Sequence, residues 1–244
     1  MSFDPRLRAV VLGSTGGIGE AVCDALGRDE RVEHLYAGSR GGLKPQGPNT
    51  TTFSFDLCVE SSIAEAAEII GREGSIDLII VATGELHGGI GLQPDKSWSD
   101  YSSEAFARAF EVNATGPAIV AKHFMPLLAR RRRAVFAALS ARVGSIEDNR
   151  LGGWTAYRAS KAALHQIIRS CAIELGRRNP SAVCVALHPG TVDSRLSAPF
   201  QRGVAEGKLF MPEFAAAQLL RVIDDLKPGQ TGQIFAWDGE RIPF

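Results

Sequence analysis

Apolar and polar residues alternate along the chain in blocks that switch repeatedly between strand-like runs and helical spacing. Leu7 to Leu12 is a short apolar run that stops at Gly13-Ser14-Thr15-Gly16-Gly17-Ile18-Gly19. Ala21, Val22, Ala25 and Leu26 then recur at helical spacing up to Gly27, so strand, glycine turn and helix open a βαβ unit. Further strands are expected at Val32 to Ala37, Thr50 to Phe55, Ile76 to Val81, Ala134 to Leu139, Ala182 to Leu187 and Gly232 to Trp237. The Ile76 to Val81 run is almost continuously apolar, as suits a strand covered on both faces of a parallel sheet. Helical periodicity predicts Ser61 to Ile70, a long helix from Ser103 to Ala129, Thr155 to Arg178, and Pro212 to Leu226. Pro117 and Pro126 are expected to bend or interrupt the long helix, and the four arginines Arg130 to Arg133 after it read as a solvated surface run. Gly41 to Asn49 and Ala82 to Ser99 are loop-like connections, and Thr191 to Phe210 is irregular. Strands alternating with helices predict an α/β chain with a parallel sheet and helices on both faces.

With 244 residues, and neither linker nor repeat, the chain is expected to form one domain over residues 1–244. Its hydrophobic fraction of 45% and charged fraction of 22% exclude a disordered chain. Lys+Arg and Asp+Glu both number 27, so no basic excess points to nucleic acid or to a membrane surface as a partner. Cys23, Cys58, Cys171 and Cys184 lie among apolar neighbours without a CxxC pair, which suits buried reduced thiols and offers no metal site. Charges occupy Met1 to Arg8 where a signal core would sit, and no run of 18 apolar residues occurs, so a cytoplasmic protein is expected.

Gly13, Gly17 and Gly19 stand between a strand and a helix, where glycines allow a tight turn and close approach of phosphates to backbone N–H groups. Packing alone also places glycines in such turns, but the flanks favour dinucleotide binding, and the missing P-loop lysine argues against an ATPase. The second strand ends in Ser39-Arg40 with no acid. An arginine there accepts a 2′-phosphate, which favours NADP(H) over NAD(H); the alternative is that Arg40 decorates a strand end. Tyr157 and Lys161 are four apart at the start of a helix and share one face. An ammonium beside a phenol favours the phenolate and brings it towards the range of a general acid–base group. Taken alone, such a pair is a common surface arrangement.

Together these residues resemble the short-chain dehydrogenase/reductase family over essentially the whole chain, and within it the bacterial C-factor-like members. The resemblance implies a Rossmann-type doubly wound sheet of about seven parallel strands in the order 3-2-1-4-5-6-7. It matches Gly13, Gly17 and Gly19 to the glycine motif, Asp56 to an adenine-contacting acid, Asn113 to the active-site asparagine, and Pro189-Gly190 to the segment over the nicotinamide, with Ser194 where threonine is common. The implied cofactor set is Gly13, Thr15, Gly17, Ile18, Gly19, Ser39, Arg40, Asp56, Leu57, Gly84, Tyr157, Lys161, Pro189, Gly190 and Val192. The implied catalytic set is Asn113, Ser140, Tyr157 and Lys161: Tyr157 passes a proton, Lys161 holds the ribose and lowers the tyrosine pKa, and Asn113 anchors a water through its main chain. The family pattern Ser-Ser-x-x-Gly is altered here to Ser140-Ala141-Arg142-Val143-Gly144, so the polarising serine is Ser140, or Ser145, or absent. Ala82-Thr83-Gly84 likewise departs from a common Asn-Ala-Gly.

Residues 191–214 are the expected substrate-covering segment, whose Leu196, Phe200, Leu209, Phe210 and Met211 suit a substrate with an apolar part. Trp154 and His87 are candidate pocket borders, Trp237 a candidate to fold back over the site, and His188 is expected to make a structural hydrogen bond. The leading expectation is a metal-free NADP(H)-dependent carbonyl reductase or alcohol dehydrogenase acting on a small carbonyl or alcohol. The alternative is a C-factor-like signalling or redox-sensing protein that binds nucleotide with little turnover; an extended sugar epimerase is disfavoured by length. The resemblance also implies a homodimer or homotetramer.

Overall fold

A computed structural model describes residues 6–42, 47–88 and 93–244. Residues 1–5 of the charged N-terminal stretch, and 43–46 and 89–92 of the expected loops, lie outside the described residues. The chain forms β1 (Leu7–Leu12), α1 (Gly17–Gly27), β2 (Val32–Ser39), β3 (Thr50–Ser54), α2 (Glu60–Arg72) and β4 (Leu78–Val81). It continues through α3 (Ser103–Phe110), α4 (Gly116–Phe124), β5 (Ala134–Leu139), α5 (Thr155–Arg178) and β6 (Ala182–His188). The last part holds β7 (Thr191–Val192), β8 (Leu209–Phe210), α6 (Pro212–Asp225), β9 (Ile234–Ala236) and β10 (Arg241–Ile242).

Eight strands form one sheet in the order β10-β9-β6-β5-β4-β1-β2-β3. The seven-strand parallel order expected from the resemblance is present, with β9 in the seventh place. An antiparallel edge strand, β10, is added to it through Arg241↔Phe235 and Ile242↔Ile234. This single-domain Rossmann-type fold reverses strand order between β1 and β4, which leaves a crevice beyond the carboxyl ends of the strands. The central strands are apolar on both faces because both faces are covered. Along β5, Ala134, Phe136 and Ala138 pack on the side of α2, α4 and α5, while Val135, Ala137 and Leu139 face α1 and α6. β3 is an edge strand and keeps its threonines half exposed.

Three expectations take a more particular form. The long helix is interrupted: a π turn over Glu111–Thr115 separates α3 from α4, Pro117 sits in the first turn of α4, and Pro126 lies in a 3-10 turn over Met125–Leu127 where α4 has ended. Gly116 permits close packing there, since a Cβ on it would stand 2.5 Å from Leu57 Cγ. The arginine run is exposed at Arg130, Arg131 and Arg132, although Arg132 Nε donates to the buried Asp77 Oδ1 at 2.6 Å, and only Arg133 is half-buried. Arg133 donates from Nη1 to Leu226 O and from Nη2 to Ile223 O, both at 2.6 Å, and so caps the end of α6. All four thiols are free, but Cys58 is exposed in the loop before α2, while Cys23 and Cys184 are buried.

Among the described residues no helix is long and apolar enough to cross a membrane, and no cluster of His, Cys, Asp and Glu could hold a metal. The fork from Arg133 to two terminal carbonyls makes a specific stability prediction. Arg133→Ala should cost about 1–3 kcal/mol and lower Tm by roughly 2–10 °C, while Arg131→Ala leaves it unchanged, as read by thermal denaturation.

Candidate active site

The glycine turn is built by close packing. Gly13 has φ +97° and a Cβ there would lie 2.9 Å from Ala82 O; a Cβ on Gly19 would lie 2.1 Å from Gly13 O. Gly17 has more room, with Ser194 Cβ 3.6 Å and Pro212 Cγ 3.7 Å from its notional Cβ. Gly16 precedes α1 as its N-cap and offers no side-chain cap, so the first N–H groups of the helix face outward beside exposed Thr15 and half-buried Ile18. Gly38 O accepts from Gly13 N at 2.9 Å and from Ser14 N and Oγ at 3.0 Å, which locks the end of β2 to the turn. Ser39 and Arg40 therefore lie next to it. The Ser39 hydroxyl is buried with no partner, as is Thr83 Oγ1 beyond β4, and the Arg40 side chain is exposed. Asp56 Oδ1 accepts from Cys58 N at 2.9 Å, and Leu57 packs against Gly116. Uncovered helix N–H groups, an orphaned hydroxyl and an exposed guanidinium form a chemically suitable cradle for a phosphorylated dinucleotide.

Across the crevice, α5 turns Tyr157 and Lys161 inward, at 9% and 2% exposure. Lys161 Nζ donates to Leu139 O at 3.1 Å and lies 5.8 Å from the Tyr157 ring centre. Burial lowers the Lys161 pKa to about 8 and pushes the Tyr157 phenol up. Burial sets the direction for the phenol in this geometry, opposite to the depression expected from a neighbouring ammonium. Asn113, on the π turn, accepts from Glu85 N at 2.9 Å and donates to Glu85 O at 2.8 Å and to Ser160 Oγ at 3.3 Å. Its side chain thus clamps the chain just beyond Gly84, whose notional Cβ stands 3.5 Å from both Asn113 Oδ1 and Lys161 Nζ. Arg108 holds the other side of Glu85, with Nε and Nη2 3.0 and 2.7 Å from its two carboxylate oxygens.

The serine question resolves into contacts. Ser140 is 5% exposed and its Oγ lies 2.7 Å from His165 Nε2. Ser145 Oγ donates to Phe244 O at 3.3 Å and accepts from Asp148 N at 3.1 Å, so it is engaged with the chain's last residues. Ala141 offers no hydroxyl. His165 lies one turn beyond Lys161, and a Cβ on Gly144 would stand 2.7 Å from Lys161 Cβ and 2.9 Å from His165 Cε1. The start of α5 is held from a distance. Trp154 has φ +54° and makes no side-chain cap; Asp95 instead accepts from Thr155 N at 2.7 Å and Ala156 N at 3.2 Å. Burial would raise the Asp95 pKa, but these N–H bonds prevail and hold it below the usual carboxylate value.

Beyond β6, Gly190 has φ +79° and lies against Phe210, 2.6 Å from its notional Cβ. Buried Pro189 precedes it, and Val192 is buried where β7 pairs with β8. The segment Thr191–Phe210 crosses the crevice with Ser194 over Gly17 and Leu196 over Gly84. His87 Nε2 lies 3.1 Å from both Arg195 O and Leu196 O, so that nitrogen carries its hydrogen. Phe200 packs on His87 and Trp154 with ring centres 5.6 and 4.8 Å apart, which brings both candidate border residues to this segment. Trp237 folds onto Phe210, 4.6 Å between centres. His188 departs from expectation: its Nδ1 is buried without a partner, and burial together with Arg142 lowers its pKa to about 4. Asp95, Glu85, Arg108 and His165 were not singled out from sequence. Only His165 carried a signal, the one-turn spacing from Lys161.

An uncharacterized oxidoreductase of Schizosaccharomyces pombe is 26% identical over 96% of this chain and 96% of its own length. The C-signal protein of Myxococcus xanthus is 36% identical over 59% of this chain and 81% of its own. An NADPH-bound carbonyl reductase from chicken fatty liver shares the fold, with TM-score 0.81, 22% identity, and coverage of 98% of this chain and all of that one. The profile of the short chain dehydrogenase family matches residues 8–204, and the chain belongs to that family.

Proposed function

We propose that the protein is an NADP(H)-dependent oxidoreductase that interconverts a carbonyl and a hydroxyl on a small substrate with an apolar part. The observation that carries this reading is the burial of Tyr157 and Lys161, one turn apart, at the carboxyl edge of the sheet, beside Gly84 and the Asn113 clamp. Family membership and the NADPH bound by the structurally similar chicken carbonyl reductase support it. The N–H groups after Gly16, with Gly13, Thr15, Gly17, Ile18 and Gly19, would hold the pyrophosphate, and Ser39 and Arg40 the 2′-phosphate. Asp56 and Leu57 would border the adenine, Gly84, Pro189, Gly190 and Val192 the nicotinamide. When bound, the nicotinamide supplies or accepts the hydride.

The chain's own groups handle the proton. Tyr157, kept protonated by burial, donates to the substrate oxygen during reduction and recovers the proton from solvent; in oxidation it first releases its proton to solvent and, as phenolate, takes the proton from the hydroxyl. Lys161 steadies the developing phenolate and holds the nicotinamide ribose, and Ser140 polarises the carbonyl. Asn113 keeps Gly84 in place through Glu85, and its main chain would anchor a water of the proton path. Residues 191–214, pinned by His87 and Phe200, exclude water above the reacting atoms. A second reading, a C-factor-like signalling or redox-sensing protein, is favoured by Ala141 in the serine place and by the partial C-signal match.

Tyr157→Phe should lower kcat by about 100-fold or more while NADPH still binds, as followed by nicotinamide absorbance and fluorescence titration. Undiminished turnover of that variant would remove Tyr157 from the proton step, and wild-type protein that binds NADPH and turns over no carbonyl would count for the second reading. Arg40→Ala should weaken NADPH binding by about 10- to 100-fold and leave NADH binding unchanged, because only the 2′-phosphate is lost as a partner. Equal weakening for both nucleotides would remove Arg40 from the phosphate site.

A further inference from the structure

The buried face of α5 carries one group that the reaction as described does not use. Tyr157, Lys161 and His165 follow one another at one-turn intervals on that face, and His165 is 2% exposed. Its Nε2 lies 2.7 Å from Ser140 Oγ, while its Nδ1 is buried with no partner. Ser140 continues the register of Ala134, Phe136 and Ala138, so its side chain leaves β5 on the α5 side, the side from which Tyr157 and Lys161 reach the sheet edge.

Counting hydrogens on this pair leads to a definite arrangement. A neutral imidazole carries one N–H and a serine one O–H, and a single bond joins them, so one donor hydrogen is left over in either tautomer. Were it on Nδ1, it would be a buried N–H fixed in the ring plane with no acceptor, whereas a hydrogen left on the Ser140 hydroxyl can rotate towards the crevice and a substrate oxygen. Nε2–H therefore donates to Ser140 Oγ, and the Ser140 hydroxyl hydrogen is the one left over. No other protein acceptor for it occurs among the described residues. Burial, and then the Lys161 charge, lowers the His165 pKa to about 4, so the ring is neutral at pH 7.

We propose that His165 is a positioning residue: its Nε2–H occupies the Ser140 oxygen and leaves the Ser140 hydroxyl hydrogen to donate to the substrate oxygen, the part that Ala141 cannot play. The inference rests on the oxidoreductase reading above and assigns how its polarising donor is set. Gly144 belongs to the same arrangement, since any side chain there would enter the space of His165 and Lys161.

The test compares wild type, Ser140→Ala, His165→Leu, His165→Gln and the Ser140→Ala/His165→Leu double variant, using NADPH and 4-nitrobenzaldehyde as the probe carbonyl. Ser140→Ala and His165→Leu should each lower kcat by about 100-fold, with KM and NADPH affinity changed less than about threefold. The double variant should fall no further, and His165→Gln, which keeps a side-chain N–H near the Nε2 position, should recover most of kcat. Nitrogen-15 NMR of labelled histidine should find His165 protonated at Nε2 and bare at Nδ1, independently of turnover. Full kcat in Ser140→Ala, losses that multiply in the double variant, or a proton on Nδ1 would overturn the proposal while leaving the oxidoreductase reading standing. Wild-type protein inactive on the probe and on other carbonyls would instead sink the oxidoreductase reading, and this inference with it.

Discussion

Burial of a polar helix face against the end of a parallel sheet is the constraint that organises this molecule. An interior polar group without a partner costs about 1–3 kcal/mol, so each side chain that α5 turns inward calls for a counterpart. Lys161 finds Leu139 O, His165 finds Ser140, and Ser160 finds Asn113 and the carbonyl of Tyr157. Those partners have requirements of their own. Asn113 reaches Ser160 and both backbone groups of Glu85 from a π turn, and Asp95 supplies the acceptors that Trp154 does not offer at the helix start. Among the described residues the Tyr157 phenol has no side-chain partner, and burial raises its pKa and keeps it protonated. A reactive group held in its acid form by its surroundings is what proton donation to a substrate oxygen requires.

The other half of the crevice is made by backbone instead of side chains. Gly13 and Gly19 let β1, α1 and the end of β4 approach more closely than any Cβ allows, which brings uncapped helix N–H groups beside the end of β2. The segment between β7 and β8 then spans both halves. Ser194 stands over Gly17, Leu196 over Gly84, and Phe200 between His87 and Trp154. A phosphate cradle, a proton donor and a cover are thereby connected through contacts that each element also needs for packing.

Much of this was readable from the chain because it depends on local pattern. Apolar runs marked the central strands, and glycine spacing marked the turn, since both follow from burial and backbone sterics at the residues themselves. β10 escaped because two residues, Arg241 and Ile242, carry no period. The π turn was hidden inside a continuous helical rhythm, and Asn113 was recognised from resemblance before its clamp on Glu85 could be known. Arg133 looked like surface because its acceptors, Ile223 and Leu226, lie about ninety residues later in the chain. Asp95 capping α5 is the same kind of long-range fact. For Tyr157 the sequence offered a neighbouring ammonium but not the depth of burial, and depth decides the direction of its pKa here. The substitution at Ala141 was plain, whereas the engagement of Ser140 by His165 needed coordinates.

The central claim is that the glycine turn, the end of β2, the Gly84 clamp and the covering segment are parts of one nucleotide and substrate site. Hydrogen–deuterium exchange with and without NADPH tests it most directly, because exchange reports each segment separately. The account predicts simultaneous slowing at residues 13–20, 39–41, 84–88 and 190–197, with β10 and the far end of α5 unaffected. No slowing at saturating NADPH, or slowing confined to a segment away from the glycine turn, would contradict it.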